Sequence, residues 1–202
     1  MSKHDWTAMY VMHDALRREL EHLAKVTAGT DDDPRRLLAV AVGWELFKKS
    51  LHVHHTAEDE ALWPVMRETL AARPDDLALL DAMEAEHAAV DPLIEAIDHG
   101  SEPLGDLVDA LAANLTAHLK HEEDEALPLM DATVTFEQLQ HFGQVHATGI
   151  GPDAPRIFPW LLDGASDEVT AKMLGGLPEP VRATFESDWR PAYDALTRWP
   201  AP

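Results

Sequence analysis

Cysteine is absent from the 202 residues, which excludes disulfides, iron–sulfur clusters, thiolate zinc sites and cysteine nucleophiles. Positive charge is scarce: 16 Lys and Arg stand against 37 Asp and Glu, a formal net charge of −21. Such a chain repels phosphates rather than releasing their counterions, so nucleic acid and anionic membrane surfaces are excluded as partners. Long apolar runs are missing too, and none approaches the roughly 20 residues that cross a bilayer. The N-terminal Met1-Ser2-Lys3-His4-Asp5 opens into polar, helix-like sequence without an apolar signal region. The expectation is a soluble, cytoplasmic protein of one domain, or one domain with an appendage, with room for a sizeable core. Against these gaps stand twelve histidines.

Residues 5–133 read as four amphipathic helices and no strand. Trp6, Met9, His13, Leu16, Leu20 and Leu23 are spaced as one helix face, which ends at Gly29. Asp31-Asp32-Asp33-Pro34 looks like a new start, with Asp33 as N-cap and Pro34 in the first turn. The second helix is expected to run unbroken to about Ala72, with Trp44, Leu51, His54, Glu58 and Leu62 on its stripe. Pro74 opens the third, with Leu80, Met83, His87, Val90 and Ile97; the fourth begins near Ser101 and carries Leu111, Leu115, His118, Glu122 and Leu129. Short loops between them make an all-α, up-down-up-down four-helix bundle the expected fold, over residues 1–133. Residues 134–202 hold eight of the fourteen prolines and half of the six tryptophans. Their apolar content is too scattered for a second core. They are expected to form a helical C-terminal extension packed on the bundle, with short helices at about 135–146, 166–174 and 179–197.

His13, His54, His87 and His118 each lie on the apolar stripe of a different helix. Two of them are followed four residues later by glutamate, as His54-x-x-x-Glu58 and His118-x-x-x-Glu122. Residues four apart stack on one helix face, so each pair aims an imidazole and a carboxylate at the same inward point. Two carboxylates in a bundle core would cost several kcal/mol per ion without partners. A multiply charged cation at the centre removes that cost, and in an antiparallel bundle all four histidines lie at one level. A lone histidine on an apolar stripe is most often a satisfied core residue, and a lone His–Glu pair a solvated salt bridge. Four such histidines on four helices point instead to metal.

Residues 54–64 and 118–128 resemble each other, both running from His to Pro through Glu-Asp-Glu-Ala-Leu. Aligned on the prolines, Glu58 pairs with Glu122; aligned on the shared string, it pairs with Glu123. Four-residue spacing favours Glu122, with Glu123 in reserve. His55 and His121 lie off their stripes, as hydrogen-bonding partners of the ligands or surface residues. His4, His22, His99, His141 and His146 show no pairing pattern and are assigned to the surface or the extension. Four imidazoles and two carboxylates are too many for one structural zinc. They suit two first-row ions with the glutamates bridging, iron foremost, and manganese or zinc as substitutes. The full ferritin-like order, a Glu from each of two helices and Glu-x-x-His from each of the other two, is not the pattern these stripes carry.

With these residues the chain resembles the hemerythrin-like (HHE cation-binding) family, and in wording its actinobacterial members. The resemblance rests on His13-Asp14-Ala15-Leu16-Arg17, on His54-x-x-x-Glu58 leading to Leu62-Trp63-Pro64, on Glu86-His87, and on His118-x-x-x-Glu122-Glu123 leading to Leu127-Pro128. It implies a non-haem di-iron centre, two iron ions with an oxygen bridge, held by His13, His54, Glu58, His87, His118 and Glu122. Oxygen-carrying hemerythrins have a second histidine four residues from the one on the third helix. Here Met83 and Asp91 occupy those places. Tyr10, one turn before His13, is the nearest substitute, although packing suits it better. An emptier coordination shell favours peroxide decomposition, a catalase-like activity, at a centre taking O2, H2O2 or NO. The alternatives are an O2 or NO carrier or sensor without turnover, and a di-iron oxygenase with residues 134–202 as its lid.

Overall fold

The computed structural model describes residues 2–28, 33–100 and 103–199. The expected helix stop at Gly29, the acids Asp31 and Asp32, and the start near Ser101 lie outside the described residues. Every element is helical, with no strand among the described residues. Four long helices make the bundle: α1 (Thr7–Thr27), α3 (Val42–Ala61), α5 (Pro74–His99) and α6 (Leu104–His121). Short α2 (Pro34–Val40) precedes α3, and α4 (Trp63–Thr69) follows it. Beyond α6, a single π-helical turn at Glu122–Ala126 passes into α7 (Leu127–Thr133).

The buried apolar residues form two layers. One holds Trp6 just before α1 and Met9 within it, Leu62, Trp63, Met66, Leu80 and Met83, and Ala126, Leu127, Leu129 and Met130. The other holds Leu16 to Leu23, Trp44 to Leu51, Val90 and Ile97, and Val108 to Leu119. The chain passes from the first layer to the second along α1, back along α3, forward again along α5 and back along α6. That alternation is the up-down-up-down order. It leaves His13, His54, His87 and His118 in a belt between the layers, all of them buried.

Asp33 caps α2 as its position before Pro34 predicts, its carboxylate accepting the Arg35 N–H at 3.1 Å. The second helix, however, is not continuous. Ala41 turns to an extended conformation (φ −75°, ψ 113°), and the chain bends again at Leu62. The first break releases the Gly43 N–H, which donates to the carbonyl of Arg198 at 2.8 Å. A residue at the far end of the chain takes the place of an in-helix acceptor, and no local pattern announces it.

The extension comprises α8 (Phe136–Ile150), α9 (Ala154–Leu161), α10 (Asp167–Gly175), α11 (Glu179–Thr184) and α12 (Arg190–Asp194). A capping box starts α8: Gln138 N–H donates to the Thr135 hydroxyl while the Gln138 side chain accepts from the Thr135 N–H. Gly149 lies inside α8, beyond the expected end near residue 146, and an added Cβ there would stand 2.9 Å from Val53 Cγ1. The missing side chain lets α8 cross α3 closely beside His54. Helix α9 falls outside the three expected short helices; Pro155 sits in its first turn, and Ile157, Trp160 and Leu161 supply its buried face. The extension is tied to the bundle by Arg156 on Glu45 (2.8 and 2.9 Å), by Arg18 on the Trp160 carbonyl (2.9 Å), and by the Trp199 indole on buried Glu19 (2.6 Å). Among the described residues, no helix is long and apolar enough to cross a membrane.

Candidate metal centre

Each wall of the belt contributes in the order its helix dictates. Helix α1 brings His13; α3 brings His54, His55 and Glu58; α5 brings His87; α6 and its π turn bring His118 and Glu122. All seven side chains are buried. Ligating atoms of His13, His54 and Glu122 lie within 4.8 Å of one another, and so do those of His55, His87 and His118. These are two clusters rather than one.

The glutamates lie between them. Glu58 stands 3.5 Å from His54 Nε2 through one oxygen and 3.5 Å from His87 Nε2 through the other. Glu122 Oε2 is 3.2 Å from His13 Nε2 and 3.8 Å from His118 Nε2. Each carboxylate thus touches one histidine of each cluster, the placement a bridging ligand needs.

The donor chemistry fits a metal pair. Both oxygens of Glu58, both of Glu122, and Nε2 of His55, His87 and His118 are buried and make no hydrogen bond. Buried polar groups without partners are rare in native proteins, and seven in one belt require an absent partner. The other ring nitrogens are held from behind. Nδ1 of His13 faces Glu123 Oε1 at 2.8 Å, Nδ1 of His87 faces Asp59 Oδ1 at 2.9 Å, and Nδ1 of His118 faces Glu86 Oε2 at 2.9 Å. A carboxylate that accepts the Nδ1 proton leaves Nε2 free to ligate and fixes the ring's orientation.

Electrostatics in the metal-free belt follow from burial and proximity. Burial pushes Glu58 well above the usual carboxylate range, and the charge of Glu122 adds to it. Glu122 meets the same desolvation but falls below its ordinary value, because His13 lies beside it. For His13, burial is outweighed by Glu122 and Glu123, which raise the imidazole to about 9. His54 and His55 are held well below their ordinary value by burial and by neighbouring imidazoles.

Among the sequence candidates, His13, His54, Glu58, His87, His118 and Glu122 converge. Glu123 sits behind His13, where it also pairs with Arg17 at 2.9 Å, and His121 shares Glu86 with His118 (2.8 Å). The π turn shows how two adjacent glutamates take different places: it absorbs the one residue by which 118–128 exceeds the 54–64 pattern before Glu-Asp-Glu-Ala-Leu. Two placements differ from expectation. Tyr10 is 46% exposed, pointing away from the belt, so it does not substitute for a histidine. His55 is 6% exposed and stacks on His87 with ring centroids 3.8 Å apart. Its signal was the line of Leu51, Glu58 and Leu62, which runs between His54 and His55 and so makes both inward. His146, assigned to the surface or extension, is half-buried with its ring 6.2 Å from that of His54. Asp59 and Glu86 were not anticipated as partners; each adjoins an inward residue, and only the packing shows which histidine it reaches.

The family model of the hemerythrin HHE cation binding domain matches residues 4–130. No curated protein and no solved structure was found to match the chain. The match is to the family as a whole and lends no support to the narrower likeness to actinobacterial members. It spans the belt from His13 to Glu122 and stops within α7, leaving the extension outside. On the extent of that match, the chain belongs to the hemerythrin HHE cation binding domain family.

Proposed function

We propose that the belt holds two iron ions and that the protein reacts with O2 or H2O2 there, decomposing peroxide in a catalase-like manner. The observation that carries the metal pair is the placement of Glu58 and Glu122, buried without hydrogen bonds, each between the two histidine clusters. His13 and His54 would serve one ion, and His55, His87 and His118 the other, with manganese or zinc able to replace iron. An iron pair of this kind supplies two-electron redox chemistry, sufficient for 2 H2O2 → O2 + 2 H2O without an external reductant. The unequal division, two imidazoles against three, leaves room for an exogenous ligand on the His13–His54 side.

The remaining residues orient the site and connect it to protons. Glu123 spans from the buried ring of His13 to the partly exposed guanidinium of Arg17. Glu86 does the same between His118 and the more exposed His121. Each carboxylate thereby carries a hydrogen-bonded path from a buried ring to the edge of a dry site, a route for the protons that peroxide turnover exchanges. A second reading, reversible binding of O2 or NO without turnover, is favoured by His55. It restores a fifth imidazole, whose apparent loss was the sequence argument against a carrier. The residues 134–202 would then be a cover or an output surface.

Metal analysis and oxygen release in one sample test this. Two irons per chain, near-ultraviolet charge-transfer bands and sustained oxygen evolution from peroxide are expected, all lost in His118→Ala. Two irons without turnover would replace catalysis with the carrier reading. Fewer than about one metal per chain after careful loading would overturn the metal pair itself.

A further inference from the structure

Between the bundle and the extension lies a cavity of about 370 Å³. Met9, Met12 and His54 line its inner side, Phe142, Ile157 and Phe158 are among the residues of the extension that line it, and it is partly open to solvent. In a chain with 53 charged residues (16 + 37), no Asp, Glu, Lys or Arg lines it. The side-chain polar atoms in its wall come from His54, His146 and the Trp189 indole. An apolar space this poor in hydrogen-bonding groups is a bad site for water. It is also far larger than O2 or peroxide needs: a cavity of about 150 Å³ already holds benzene.

We infer that this cavity binds an uncharged, mainly hydrocarbon molecule of about two fused rings in bulk, and seats it against His54. The ligand would lie on the less crowded side of the proposed metal pair, His54 being common to the cavity and to the His13–His54–Glu122 cluster. The inference deepens the proposed function, because the consequence of that seat for reactivity rests on the metal reading. The cavity itself does not. Helix α8, which Gly149 lets cross α3 next to His54, carries Phe142, Gly143, His146 and Ala147 into the cavity's wall.

Naphthalene is a suitable probe, with naphthalene-2-sulfonate as its charged counterpart. On metal-loaded protein labelled at the methionine methyls, naphthalene should release binding heat and shift the signals of Met9, Met12 and Met173, which line the cavity. Met66, Met83 and Met130, buried in the bundle but not among the lining residues, should stay in place. The sulfonate should not bind. Gly143→Leu fills the space from a position where an added Cβ meets nothing within 4 Å, and Ala147→Phe fills it from the next turn; both should abolish the heat while metal content holds. Unchanged binding in the two variants, or shifts confined to Met66, Met83 and Met130, would overturn the inference. No binding to protein carrying both metals would overturn it and leave the metal reading standing. Binding to protein that takes up no metal would do the reverse.

Discussion

His54 and His55 are adjacent, yet both rings point into the core, one toward each cluster. That is possible because a residue step of about 100° on a helix places the two on either side of the line through Leu51 and Glu58. A stripe drawn one residue wide includes His54 and omits His55, which explains why four of the inward histidines were legible in the sequence and the fifth was not. Glu122 was legible through its four-residue spacing; the carboxylates behind the rings, Asp59 and Glu86, were not, since they depend on contacts between helices. Substitutions separate these roles. His55→Ala should reduce loading from two metals per chain toward one, whereas Tyr10→Phe should leave it unchanged. Glu122→Gln should lose the pair, while Glu123→Gln should retain it with affinity lower by roughly 10–100-fold, the usual effect of removing a ligand's supporting carboxylate. Metal analysis after equilibrium dialysis reads all four. Equal loading in His55→Ala and the parent would remove His55 from the ligand set.

Helix α3 begins where Arg198 and Trp199 meet it, and this junction has no local cause. A Cβ built on Gly43 would fall inside the indole of Trp199, whose N–H donates to buried Glu19. Gly43→Ala should therefore displace the ring and leave Glu19, already buried, with one hydrogen bond fewer. Helix propensity alone predicts a gain of about 1 kcal/mol from this change; overpacking and the lost hydrogen bond predict a loss of about 1–3 kcal/mol, and the second effect should win. Denaturant midpoints of Gly43→Ala, Trp199→Ala and the double variant check it. Because both changes break the same contact, the double variant should be little worse than either single one. Simple additivity would show that the contact contributes nothing. The four stripes of the bundle were readable because they repeat locally, every three or four residues. The break at Ala41, the helical course through Gly149 and helix α9 were not, since each is imposed by a partner distant in the sequence.

The whole molecule trades stability for the site. Two apolar layers hold the bundle together, and between them lies a belt of five imidazoles and two carboxylates that a metal-free protein must bury. Net charge of −21 concentrates cations around the chain but does nothing for buried carboxylates without partners. A bound metal pair would turn this belt from a cost into a cross-link between four helices. The sharpest consequence is a reversal of rank. Neither oxygen of Glu58 makes a hydrogen bond, and its side chain is fully buried. Glu58→Met keeps similar bulk and removes the ionisable group, so the metal-free variant should be more stable than the metal-free parent. Replacing buried ionic groups by apolar ones of like volume gains about 1–4 kcal/mol, which at this chain length raises Tm by about 2–4 °C per kcal/mol. With metal the order should invert, because binding stabilises only the chain that can hold the pair. Thermal unfolding of both proteins, chelated and loaded, gives the four values needed. A chelated Glu58→Met that melts below the chelated parent would mean that Glu58 supports the fold by itself, and that its burial owes nothing to a metal.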